Sequence, residues 1–494
     1  MRRRLPRLLR WTFLGLLVGA GTVTAWVVWN ARDRNPGYGL HLRLRPSSPV
    51  GRLRVGFGRS TITPSLVEPV WLAGFGKGRR ATSVHDDLWA VAAVVDDGEH
   101  RLGLVVLDAI GLFHDQVVAV RRSLPSAAAL DYVIVASTHN HSTPDVMGIW
   151  GPSTFQSGVS PTYRDQLVAA ASTALQAAVS ALAPARLSLF EIPLPPEGLV
   201  ADSRAPFVFD ATLRMLLFTR PDDGATIGSI VNWANHPETP WADNTDITAD
   251  FPGYLRELLE HGVTVDGRVV AAGLGGTHLY VNGAIGGLMT TSPEITVVDP
   301  FDGRAFEAPS HDKARAVGRR LGDAALRAVR RGASQQEERD PRLTVLADTV
   351  AFRLDNRLFR LAAGLGVIER GQPRWNWIRS EVALVRLGDA SILCVPGELY
   401  PEIANGGVVH PAGADFDTAP VEVPPLRDAM PGRVKFVFGL ANDEIGYIIP
   451  KSEWDDRPPW LFDAPNRHYG EINSLGPETG PTLYRALRDL MRSE

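Results

Sequence analysis

The residues best suited to chemistry lie where apolar runs stop. YVIVASTHNHSTPD, from Tyr132 to Asp145, is an unbroken apolar run ending in two histidines two positions apart. Such a run reads as a buried strand, and residues two apart on an extended chain point to the same side, so His139 and His141 are expected to face one space. Three later segments are built alike: IGSIVNWANHPET runs into His236, ASILCVPGELY into Glu398, and VKFVFGLANDEIGY into Tyr447. Open sheets flanked by helices hold their ligands beyond the carboxyl ends of strands, so four such endings point to a single site, a metal centre.

Two imidazoles and a carboxylate match what catalytic zinc requires: a few nitrogen and oxygen donors with one position left for water. Zinc held in this way lowers the pKa of its water towards about 7 and polarises a carbonyl, chemistry that suits amide or ester hydrolysis, with a nearby histidine moving protons.

Strand-like runs alternate with helical patterns from Arg54 onward. VGFGRSTI, LWAVAAVV and LGLVVLDAIGL are apolar and β-rich, whereas TYRDQLVAAASTALQAAVSAL and HDKARAVGRRLGDAALRAVRR place apolar residues three and four apart with polar groups opposite. The expected fold is α/β, with mixed sheets layered with helices in one large domain spanning 54–494. Residues 292–309 are expected to form a long loop, and GASQQEERD, 332–340, is a weak candidate boundary. Since the four strand endings fall on both sides of it, one body is expected.

The 494 residues are 45% hydrophobic with a formal net charge of −4, enough for a core and without a basic field, so nucleic acid is not an expected partner. The lone cysteine, Cys394, sits inside an apolar run and reads as a core side chain. At the N-terminus, Arg2, Arg3, Arg4, Arg7 and Arg10 precede the uncharged stretch from Trp11 to Trp29, long enough for the roughly 17–25 residues that span a bilayer. Residues 1–30 are therefore expected to be a membrane anchor with the body extracytoplasmic, in a bacterial cell envelope or periplasm. The rival reading is a signal peptide cleaved near Val23-Thr24-Ala25, which would make the protein secreted. Residues 31–53, rich in arginine, proline and glycine, are expected to be a linker.

The motifs THNHS, NH within VNWANHPET, PGE within VPGELY, and GLAN followed by GY, together with VGFGRSTITP, VHDDLWAVAAVV and GPETGPTLYRAL, resemble the catalytic domain of the neutral/alkaline non-lysosomal ceramidases. The resemblance runs from about Arg54 to the C-terminus. It implies a zinc-dependent amidohydrolase acting on ceramide or another N-acyl lipid, with His139, His236, Glu398 and Tyr447 as zinc ligands and His141 contacting substrate or assisting proton transfer. The tyrosine enters the set only through the resemblance, because a phenol binds a metal well only when the metal helps remove its proton. The chain also departs from the family. Where ceramidases carry a GDVSP-like loop with a reactive serine, this chain reads NGAIGGLMTT, with Met289 at the serine position and Gly287 at the aspartate; Thr290 and Thr291 are poor substitutes. An esterase or lactonase using the same zinc, and a non-catalytic metal-binding envelope protein, are the alternatives. Asp108 is a candidate partner of a liganding histidine, while His85 and His278 read as structural.

Overall fold

The structure is a computed structural model that describes residues 5–47, 52–287, 289–332, 336–338 and 340–494. Arg2, Arg3 and Arg4, which carry part of the orientation argument, lie outside the described residues.

Apolar side chains on both faces of a strand require cover on both faces. Three five-stranded sheets meet that demand. The first runs in the order Tyr132–Ser137, Arg101–Leu107, Trp89–Asp96, Arg54–Thr61, Ala183–Pro184. The second runs Thr277–Asn282, Thr226–Trp233, Thr212–Thr219, Arg186–Pro193, Gln336–Glu338. The third runs His41–Leu44, Leu343–Arg353, Trp377–Leu387, Ala390–Cys394, Val434–Phe438. Each is antiparallel except at one edge, where the outermost two strands are parallel: the first two named in the first and second sheets and the last two in the third.

Period-two alternation divides each strand between two cores. Val91, Ile134, Leu216, Phe218, Ile392 and Phe436 point into one core shared by all three sheets, with Cys394 among them as expected. The opposite faces are roofed by helices. Pro161–Ser180, capped by the Ser160 hydroxyl accepting from the Tyr163 amide, lays Leu167, Ala171, Ala174 and Leu175 on the first sheet. It lies close because a Cβ on Gly58 would stand 2.4 Å from the Ala174 carbonyl oxygen, leaving no room for a side chain there. Asp250–His261 and His311–Arg330 cover the second sheet, and Thr479–Arg492 covers the third.

The parallel edges meet at one end of the molecule, where asparagines satisfy backbone groups that a sheet edge leaves open. Asn282 donates to the Thr138 and Asn235 carbonyls, Asn232 to the Val437 carbonyl, and Asn442 accepts from the Val135 amide. One large domain results. The weak boundary near 332–340 is no boundary in the described part, since Gln336–Glu338 pairs with the second sheet; 333–335 and 339 lie outside the described residues. The expected loop at 292–309 contains a small ladder, Val297–Val298 with Ala305–Phe306.

Leu5–Ala31 is one helix, and its segment Arg10–Ala31 is apolar and long enough to cross a membrane. The stretch read as a linker does not hang free. His41–Leu44 is the edge strand of the third sheet, the Asp33 carboxylate grips the Arg379 guanidinium at 2.8 and 2.9 Å, and Asn35 is buried against Asp115 and Arg122. The polar side chains that suggested a solvated tether are spent on the body; 48–51 lie outside the described residues.

Candidate metal centre

The converging sheet edges deliver the site. Beyond Tyr132–Ser137 the backbone enters the left-handed region at His139, φ 66°, a conformation costly for a residue with a side chain. It is held there by the Ala109 carbonyl, which accepts from the His139 and Asn140 amides. His139 and His141 do share one space, with ring centroids 5.1 Å apart, but through this turn rather than through continued strand alternation. The second sheet brings His236, whose centroid lies 4.9 Å from that of His139 and 5.5 Å from that of His141. One nitrogen from each of the three rings falls within 4.8 Å of the others. The segments that follow Ala390–Cys394 and Val434–Phe438 of the third sheet supply Glu398 and Tyr447, paired with each other in a separate two-stranded parallel ladder.

Backbone carbonyls set the direction of the rings. Nδ1 of His139 lies 2.7 Å from the Ile110 oxygen and Nδ1 of His236 2.7 Å from the Met289 oxygen. A carbonyl only accepts, so both Nδ1 atoms carry the proton and both Nε2 lone pairs turn inward, the arrangement found in metal-ligating histidines. Those lone pairs face Glu398, whose Oε2 is 3.0 Å from Nε2 of His236 and 3.4 Å from Nε2 of His139. Lone pair against carboxylate in a buried site repels unless a proton or a cation lies between. His141 is also buried, and neither of its ring nitrogens makes a well-aligned hydrogen bond to protein. Imidazole nitrogens with a carboxylate and a phenol form a donor set that fits zinc.

Burial dominates the electrostatics, and charge redirects it. Desolvation lowers the His141 pKa to about 4, despite Glu238 at 3.1 Å from Nδ1 pulling the other way. For His236 burial also pushes down, but Glu398 and Glu238 outweigh it and the pKa is raised. Burial alone would raise Glu398; His139 and His236 hold it well below the usual carboxylate range. Glu444, beside the site, is pushed well up by burial and by the charge of Glu398.

Three participants escaped sequence reasoning. Glu238 backs His141 and receives the Thr290 hydroxyl, Glu444 lines the cavity, and Gly74 (φ 100°) packs on the His141 ring, where a Cβ would meet Cγ at 2.3 Å. Glu238 stands two residues after His236, the spacing that singled out His139 and His141.

Asp108 does not serve a site histidine; its carboxylate is taken bidentately by Arg256 at 2.7 and 2.8 Å. Met289 buries its side chain in the core beneath the second sheet, and its backbone carbonyl orients His236. The Gly287 position abuts the Asp202 carboxylate, while Thr291 donates to the Leu199 carbonyl. His278 is a satisfied core histidine between Ser229 and the Gly275 carbonyl, and His85 stacks on His311.

An apolar cavity with an interior volume of about 110 Å³ opens from His139, His141, Glu398 and Tyr447 and continues between Met147, Phe359, Ala363, Ile368 and Ile378. That is narrower than the roughly 300–1,000 Å³ usual for small-molecule pockets, so it suits a slender apolar group that extends out through the mouth.

Comparison with known proteins agrees with this architecture. Residues 53–274 match the family described as neutral/alkaline non-lysosomal ceramidase, N-terminal. The neutral ceramidase from Pseudomonas aeruginosa superposes with a TM-score of 0.64 at 18% identity, covering 89% of this chain and 74% of that one. A ceramidase complexed with C2 gives 0.65 at 16% identity, covering 89% and 75%. At such identities the likeness shows a shared fold. No curated protein sequence matches the chain. The chain thus resembles the neutral/alkaline non-lysosomal ceramidases in sequence over 53–274 and shares the fold of these two solved ceramidases along most of its length.

Proposed function

We propose that the protein is a zinc-dependent hydrolase of the neutral ceramidase type that cleaves the amide bond of an N-acyl lipid such as N-acyl sphingosine. The observation that carries this reading is a buried set of inward-turned imidazoles and a carboxylate at the end of an apolar cavity. His139, His236, Glu398 and Tyr447 would hold the ion. Zinc bound there supplies a water of lowered pKa and a Lewis acid for the acyl carbonyl.

The remaining work falls to the chain. His141 faces the same space with its ring neutral at pH 7, and Glu238 beside Nδ1 favours the protonated form, so this pair accepts and returns the proton. No side-chain nucleophile is needed, and none fits: Met289 is packed away, and the Thr290 and Thr291 hydroxyls are engaged by Glu238 and the Leu199 carbonyl. The apolar walls receive an acyl or sphingoid tail. Because the serine loop is replaced, an ester or lactone split by the same water is the second reading. Leu5–Ala31 is read as an uncleaved anchor holding the body on the extracytoplasmic side, with a cleaved signal peptide as the alternative.

The test combines metal analysis with hydrolysis of a fluorogenic N-acyl sphingosine, with and without chelator. Wild type should hold one zinc and lose activity on chelation; His139→Ala and His236→Ala should lose both. Zinc without hydrolysis of any acyl amide or ester would overturn the reading.

A further inference from the structure

We propose that helix Arg357–Leu365 is a portal seated in the bilayer surface, through which an apolar tail moves sideways from the membrane into the cavity. The proposal rests on the anchor reading of Leu5–Ala31 and deepens the hydrolase reading by naming the route and the physical state of the substrate.

The helix is short and sharply bounded: the Asn356 side chain accepts from the Leu358 and Phe359 amides, and Gly366, φ 78°, stops it. Unlike an ordinary surface helix, it is apolar on two faces. Phe359 and Ala363 look inward and line the cavity. Leu358, Leu361 and Leu365, at i, i+3 and i+7, form a stripe on the outside, 60%, 55% and 39% exposed. Three leucines in a row, turned away from the core on the wall of an apolar cavity, need an explanation.

The neighbour of this helix provides one. Its C-terminal half packs on the last turns of Leu5–Ala31, where Val27 lies against Gly364 and Asn30 donates to the Gly364 carbonyl at 3.0 Å; beyond the helix the Gln372 amide donates to the Ala31 carbonyl. These contacts place the leucine stripe level with the residues at which a spanning helix leaves the hydrocarbon. The exposed Trp26 and Trp29 mark the same level, where tryptophans prefer the interface, and Trp375 beyond the portal helix is 61% exposed. The Asp33–Arg379 pair fixes the exit of the anchor to the body, so the depth of the stripe is set by bonded contacts rather than by a loose tether. An apolar helix face held at that depth meets acyl chains. The path from there to the metal centre runs past Phe359 and Ile378 to His139 and Tyr447 without leaving the cavity.

The experiment uses the full chain reconstituted in phosphatidylcholine vesicles. Long-chain N-acyl sphingosine is supplied within the bilayer, and a short-chain, water-soluble fluorogenic N-acyl amide is supplied from solution. Leu361→Asp should lower hydrolysis of the bilayer-borne substrate by at least about tenfold, the loss expected when one leucine no longer enters the membrane, and leave the soluble substrate within about twofold. Separately, a bimane label on Leu361→Cys should be quenched by brominated lipids, Cys394 being buried and unreactive. Equal loss on both substrates, no loss on either, or a label that stays in water would each overturn the portal. If wild type hydrolyses neither substrate, the hydrolase reading fails, while the quenching result still decides where the helix sits.

Discussion

Chelation is the perturbation whose size follows most directly from the structure. At a zinc concentration a thousandfold above its Kd, binding to the folded state alone contributes about 4.1 kcal/mol. A body of roughly 440 residues unfolds with an entropy near 0.9 kcal/mol/K at the usual per-residue value, so removing the metal should lower Tm by about 4–5 °C. The drop should depend on pH. Without metal, a proton shared between His236 and Glu398 relieves the clash of lone pair and carboxylate, and the pKa of His236 is raised by Glu398 and Glu238 against burial. A raised folded pKa gives stability that is fully present below the unfolded value of about 6.5 and is lost as pH climbs through the folded value. The metal-free protein therefore weakens above that range, while zinc, which needs deprotonated ligands, binds better there. The chelator-induced drop should thus be larger at pH 8.5 than at pH 6. Differential scanning fluorimetry of the full chain in detergent measures it, with His236→Ala as the control that should not respond to chelator. A wild-type Tm unmoved by chelator at both pH values, in protein that binds no added zinc, would refute the reasoning.

Glu238→Gln should keep its zinc and lose about 10–100-fold in kcat, as expected when the group behind an active-site imidazole loses its charge; metal content and steady-state rates check it. Gly74→Ala adds a Cβ that would meet the His141 ring at 2.3 Å in a backbone conformation unfavourable to alanine, and should lower activity with zinc retained, read by the same two assays. Glu381, fully buried, joins Arg121 at 2.6 Å and Tyr132, and its pKa is held far below normal by Arg121 and His114 despite burial. Glu381→Gln should cost about 3–5 kcal/mol at pH 7, because it leaves Arg121 buried without its counter-charge. A depressed pKa gives stability present above the unfolded value of about 4.3 and lost as pH falls, so the gap in denaturant midpoint between wild type and variant should narrow below pH 4.

The strands that lead towards His139, His236, Glu398 and Tyr447 were legible because burial on both faces writes near-continuous apolar runs, and a polar residue beyond their end stands out. The helices Pro161–Ser180 and His311–Arg330 were legible from their periodicity. That three sheets share one core was not, since it depends on pairings such as Leu343–Arg353 with His41–Leu44, made by residues some three hundred positions apart. Separation in sequence also hid the partner of Asp108, since Arg256 comes from a helix on another sheet 148 positions away. Met289 shows a subtler limit: sequence reports a side chain, but this residue reaches the site through its backbone carbonyl.

The side chains of the candidate site arrive from three directions: His139 and His141 beyond the first sheet, His236 beyond the second, Glu398 and Tyr447 beyond strands of the third. A slip of one residue along any contributing strand would displace its donor by about 3.3 Å and reverse its facing, whereas coordination tolerates errors of only about 0.2 Å. The ion would thus work as a gauge of assembly, captured only when three independently paired ladders have docked in register. Length changes should accordingly be tolerated at turns far from the convergent end and be excluded from the strands that lead into it.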